Sequence, residues 1–122
     1  MSILRRLAVL GAATMMTLGL AVAPAQAASR ACTNLWTPDG KGRINMCKTW
    51  TRHANGKGYY GEFWGTIHGK NTVLEAWFDG RQERIAGTGS RSSLKFNRRY
   101  ERINRLYFRA CKRGKACSGP WW

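Results

Sequence analysis

Tyr59 to Gly80 reads YYGEFWGTIHGKNTVLEAWFDG, and the alternation within it decides the fold class. From Tyr59 to His68 one set of positions holds Tyr59, Gly61, Phe63, Gly65 and Ile67, and the other holds Tyr60, Glu62, Trp64, Thr66 and His68. From Thr72 to Asp79 the same division sets Leu74, Ala76 and Phe78 against Val73, Glu75, Trp77 and Asp79. A period of two marks half-buried strands, and Gly69-Lys70-Asn71 between the runs has the chemistry of a hairpin turn. In that hairpin Phe63, Ile67, Leu74 and Phe78 meet on the buried side. Carboxylates make the other face costly to bury. Trp64 and Trp77 are therefore expected on one shared outward face, directly opposite or diagonal according to register. There they form a platform for sugar rings or flat apolar groups, a protein interface, or a layer covered by Gly119-Pro120-Trp121-Trp122 or an arginine stem.

The segments on either side carry the same signal. Arg43 to Arg52, RINMCKTWTR, places Ile44, Met46 and Trp50 on one side, and His53 to Gly58 with Asn55-Gly56 is a turn cluster. Arg81 to Ala86 and Ser92 to Phe96 are further strands, separated by Gly87-Thr88-Gly89, while residues before Gly40 read as a short exposed start. Residues 97–111, NRRYERINRLYFRAC, fit two patterns. Arg98, Arg102, Arg105 and Arg109 recur at helical spacing with Ile103, Leu106 and Ala110 near the opposite face. In the strand reading Leu106, Phe108 and Ala110 alternate with Arg105, Tyr107 and Arg109, and the aromatic, β-rich surroundings favour a strand from about Ile103 to Cys111. The fold class expected is all-β: a small antiparallel sandwich or barrel stapled by two disulfides.

Arg5-Arg6, the uncharged apolar run Leu7 to Val22, and Ala25-Gln26-Ala27 have the form of a signal peptide. At about 16 residues the run is short for a bilayer, which needs roughly 20. Residues 1–27 are thus expected to be cleaved, leaving residues 28–122 as a single secreted β domain. Without Arg5 and Arg6 the 21 basic residues fall to 19 against 6 acids, a balance of about +13. A domain of this size gains from covalent staples outside the cell. Four cysteines allow three pairings. Short loops close most readily, so Cys32 is expected to pair with Cys47 and Cys111 with Cys117. Zinc is the weaker reading, because there is no Cys-x-x-Cys and neither His53 nor His68 lies near a cysteine in sequence. No metal and no cofactor are expected.

The ending RLYFRACKRGKACSGPWW, together with YYG at Tyr59 to Gly61 and WFDG at Trp77 to Gly80, resembles a group of small secreted actinobacterial proteins with two disulfides. That group has no assigned activity, and some of its relatives accompany glycan-active enzymes. The present chain differs in being much more basic.

Ten of the 19 mature basic residues fall between Arg91 and Lys115, where Glu101 is the only acid. Such asymmetry attracts polyanions. The expected function is that of a secreted cationic binding domain on a cell-wall polyanion or glycan, acting as a monomer. Trp64 and Trp77 would supply stacking, and Arg98, Arg99, Arg102, Arg105 and Arg109 the charge. An anionic membrane surface and free nucleic acid are further polyanionic partners, and a cationic antimicrobial protein is the alternative function. Catalysis is not expected. Glu62 and His68 share a face, but six strand residues separate them by roughly 20 Å. His68 with Glu75 is the one acid–base pair left for a small secreted ribonuclease. No Gly-x-Ser-x-Gly or His-Glu-x-x-His is present, and the cysteines are committed to bridges.

Overall fold

A computed structural model describes residues 28–115, 117 and 120–122. The expected signal peptide lies outside the described residues. Seven strands follow one another: β1 Ser29–Trp36, β2 Arg43–Arg52, β3 Tyr59–His68, β4 Thr72–Phe78, β5 Arg81–Gly87, β6 Ser93–Ile103 and β7 Leu106–Lys112. They form two antiparallel sheets, one of four strands in the order β1-β2-β3-β6 and one of three in the order β5-β4-β7. The sheets pack as a sandwich and do not close into a barrel. Between them lie Phe63, Phe108, Ile44, Ile67 and Leu74, all without solvent exposure. Each of these occupies the apolar set of its own strand, so alternation and burial agree.

The hairpin expected between β3 and β4 does not form. β3 pairs with β2 and β6, and β4 pairs with β5 and β7. Phe63 and Ile67 do share a core with Leu74 and Phe78, but across the sandwich instead of along one sheet. The corner between the strands explains why. Gly69 and Asn71 have φ of 103° and 55°, and the corner's backbone groups bond to the β5–β6 connection. Gly69 N donates to Ser92 O at 2.8 Å, Asn71 N to Gly89 O at 2.7 Å, and Thr72 N to Thr88 Oγ1 at 3.0 Å. With those donors satisfied elsewhere, no tight turn is needed between the two runs.

One other expectation is corrected and one is met. The exposed start is an edge strand, because Cys32 and Cys47 face each other in register and bind β1 to β2. The strand expected from about Ile103 to Cys111 is present as β7, and the helical spacing of the arginines produces no helix. β6 and β7 occupy that stretch, joined by a corner at Arg102 (φ 56°), where the Asp79 carboxylate accepts from the backbone N–H of Arg105 at 2.7 Å and of Asn104 at 3.1 Å. The second disulfide, Cys111–Cys117, ties the end of β7 to the tail. Trp122 then exchanges two backbone hydrogen bonds of 2.8 Å with Phe108, covering part of the open edge of β7.

Candidate functional site

The four-stranded sheet turns its second face outward, and the registers fix what that face carries. Cys32, Cys47, Trp64 and Asn97 form one row across β1, β2, β3 and β6. Asn34, Asn45, Thr66 and Lys95 form the next, and Trp36, Arg43, His68 and Ser93 the one beyond. The first two rows line a hollow of about 830 Å³. The Cys32–Cys47 bridge lies in its floor, which spares that position a side chain tall enough to fill it.

Each outward-facing group has a local reason for its position. Trp64 is half-buried, with the Arg30 guanidinium carbon 5.3 Å from its ring centroid. Trp36 is 57% exposed, the most open large apolar side chain among the described residues, and Arg43 lies 5.8 Å from its centroid. The turn that follows Trp36 is rigid: Thr37 Oγ1 donates to Asp39 Oδ1 at 2.6 Å and Lys41 N donates to the same oxygen at 2.9 Å. Those bonds, the Thr37 hydroxyl first, hold the Asp39 carboxyl below its usual pKa. His68 Nε2 and Asn45 Oδ1 lie within hydrogen-bonding distance at 3.0 Å, a contact that aims the amide. Along the strands, four residues at about 3.3 Å and two strand spacings of about 4.8 Å set Trp36 and Trp64 roughly 16 Å apart, with Asn34, Asn45 and Thr66 between them.

The face continues past Trp64 into a second hollow of about 450 Å³, lined by Thr49, Thr51, Tyr60, Glu62, Arg99 and Glu101 among others. Charge is therefore graded along the sheet. Arg43 and Lys95 lie in the Trp36–Trp64 half, Arg30 reaches the Trp64 ring from the Thr49 row, and the carboxylates Glu62 and Glu101 lie in the other half beside Arg99. Indoles stack on rings, amides both donate to and accept from hydroxyls, and guanidinium groups take anions.

The three-stranded sheet has a different outer face. Trp77 on β4 is the cross-strand partner of Gln82 and Tyr107, and Glu75 that of Arg84 and Arg109. Trp64 and Trp77 thus lie on opposite sides of the sandwich, and the shared platform expected of them is not made. The expected arginine cluster is divided as well. Arg99 faces outward on the four-stranded sheet beside Glu62. Arg98 bridges to Glu83 at 2.9 Å across the sheet edges, and Arg109 bonds to Glu75 at 3.0 Å while lying 4.1 Å from the centroid of Trp121. Arg102 and Arg105 are exposed at the β6–β7 corner. His68 and Glu75, the acid–base pair read from the sequence, lie on opposite sheets and cannot act on one atom. Glu75, Cys111 and Cys117 bring three metal-type ligand atoms together, but both sulfurs are in the disulfide and the carboxylate is held by Arg109.

The sequence reading missed Trp36, Asn34, Asn45, Asn97 and Lys95. The first two lie on the strand read as an exposed start, where SRACTNLW already alternates. Comparison with protein families, curated proteins and solved structures finds no match to the chain.

Proposed function

We propose that the protein is a secreted cationic domain that binds an anionic glycan or cell-wall polymer through the outer face of its four-stranded sheet. One observation carries this reading: two indoles on one face, separated by a hollow of amide, hydroxyl and cationic side chains. A single small ligand needs one stacking ring. Two rings roughly 16 Å apart suit an extended polymer, which can stack at both and hydrogen-bond between. Arg43 and Lys95, with Arg30 at the far side of Trp64, give the same stretch its preference for negative charge, while its ring-stacking geometry distinguishes it from simple charge attraction. Two disulfides fit an oxidising compartment, and the N-terminal sequence supports export. The role envisaged is attachment, without turnover of the polymer.

Retention on insoluble cell wall across a salt series tests the proposal. Trp36→Ala with Trp64→Ala should lower retention about tenfold or more at every salt concentration, since stacking is not screened. Arg43→Gln with Lys95→Gln should lower it mainly at low salt, where exposed charges act over about 10 Å. Retention that survives both double substitutions would sink the assignment of this face.

A further inference from the structure

The opposite face holds an aromatic surface for which the glycan reading has no use. Trp77 and Tyr107 lie with ring centroids 5.6 Å apart, and Trp121 completes a cleft of about 360 Å³ lined, among the described residues, by these three. Trp121 is held from two directions. Its neighbour Trp122 is pinned to Phe108 by both backbone hydrogen bonds, and its own ring stacks on Arg109, which Glu75 fixes. The polar groups in this lining are two indole N–H groups and a phenol. Gln82, exposed opposite Trp77, is the one amide of the neighbouring strand position, and the Glu75 carboxylate is taken by Arg109, in contrast to the three amides Asn34, Asn45 and Asn97 across the molecule. Indole and phenol are the side chains that settle at a water–hydrocarbon boundary, with an apolar body and a polar tip.

Charge points the same way. The acids of this sheet and its corners are engaged: Glu75 with Arg109, Glu83 with Arg98, and Asp79 with the backbone of Asn104 and Arg105. Arg84 on β5, Arg105 before β7 and Arg113 after it are exposed, and none has a carboxylate within ion-pair distance among the described residues. An aromatic cleft is thus flanked by uncompensated guanidinium groups.

We infer that the outer face of the three-stranded sheet docks on an anionic phospholipid bilayer. Trp77, Tyr107 and Trp121 seat at headgroup level, and Arg84, Arg105 and Arg113 lie against lipid phosphates. The inference is independent of the glycan reading. If both hold, the domain joins a wall polymer on one side to a membrane on the other.

The test uses the full mature chain and vesicles of equal phosphatidylglycerol and phosphatidylcholine, with pure phosphatidylcholine as the neutral comparison. Co-sedimentation should be strong on the anionic vesicles and at least about tenfold weaker on the neutral ones. Tryptophan emission should be quenched by lipids brominated near the top of the acyl chain. Trp77→Ala with Trp121→Ala should abolish that quenching and lower partitioning about tenfold. Arg84→Gln, Arg105→Gln and Arg113→Gln leave the aromatic cleft intact and should lower partitioning about fivefold per arginine. Neither set should alter retention on cell wall. Equal binding to neutral vesicles, undiminished binding by both sets, or no binding to anionic vesicles overturns the inference. So does protection of Trp77 and Trp121 from an aqueous quencher by soluble wall polymer, which would make the cleft a glycan site.

Discussion

The two outer faces of the sandwich are built from the same alternation and differ in how they are held. On the four-stranded sheet, strand pairing places every side chain of the hollow, and the Cys32–Cys47 bridge joins two directly opposed residues with Cα atoms 4.0 Å apart. On the three-stranded sheet, the third aromatic wall comes from a tail held by the Cys111–Cys117 bridge and one pair of backbone hydrogen bonds. A face made by strands fails only when its sheet fails. A face completed by a tail can be dismantled alone.

Removing the bridges one at a time separates these cases and should give the largest effects. Cys32→Ala with Cys47→Ala opens a link of sequence separation 15 and should cost about 3 kcal/mol by loop-closure entropy. The loss would be global, visible as a lower midpoint in denaturant with every tryptophan responding together. Cys111→Ala with Cys117→Ala opens a link of separation 6 and should cost about 2 kcal/mol. Hydrogen exchange should then show early opening at Trp122 and Phe108, with the amides of β2 and β3 still protected. Uniform loss of protection in both variants would mean that the two faces are one cooperative unit.

The strands were legible in the sequence because each one buries a single face, and period two survives any choice of partner. Partner choice was not legible. Phe63, Ile67, Leu74 and Phe78 must meet in a core, yet the same four residues satisfy either a hairpin or two facing sheets. What decides between them is the bonding of Gly69, Asn71 and Thr72 to residues 88–92, a contact between segments with no sequence signature. The site depends on the same choice, because a platform of Trp64 and Trp77 presumes one sheet. For the arginines, positions 98, 102, 105 and 109 have helical spacing, and a helix would also bury Tyr100 and Phe108. What makes this stretch two strands is pairing with distant partners, β6 with β3 and β7 with β4, which local spacing does not encode. The disulfides were readable because each pair is local in sequence.

Tyr100 gives the next effect, about 1 to 2 kcal/mol, and belongs to the four-stranded side. Its hydroxyl donates to Thr49 O at 2.6 Å, reaching from β6 past β3 to β2. Burial raises its pKa from 10.0 to about 12. A raised folded-state value means the native protein holds this proton more firmly than the unfolded chain. The contribution is complete below pH 10 and is lost as pH rises towards 12. Tyr100→Phe should cost about 1 to 2 kcal/mol at neutral pH and flatten that part of the alkaline limb. Absorbance of tyrosinate against pH would check it, since one phenol of the four should titrate last. Trp36→Ala, at an open position, should shift stability by less than about 0.5 kcal/mol. A greater loss would show that Trp36 supports the sheet in addition to presenting its ring.

A small effect is also expected at Lys48, where the two sides of the molecule meet. This lysine falls in the inward set of β2 and is half-buried, with Nζ 4.0 Å from the Trp122 ring centroid, 5.8 Å from that of Phe108 and 5.9 Å from that of Trp50. No carboxylate lies within ion-pair distance among the described residues. Burial lowers its pKa from 10.5, so the native state binds this proton less firmly than the unfolded chain. The penalty is therefore complete below the native value and is relieved as pH rises from there to 10.5, opposite in sign to Tyr100. Attraction to the aromatic faces offsets part of it. Lys48→Met keeps the stem and removes the charge, so stability at neutral pH should change by less than about 1 kcal/mol. The rise in stability approaching pH 10 should disappear with it. A loss of about 2 kcal/mol or more, with Trp122 amide protection falling in parallel, would show that the ammonium anchors the tail. The aromatic cleft would then depend on a residue of the opposite sheet, and the independence of the two faces would fail.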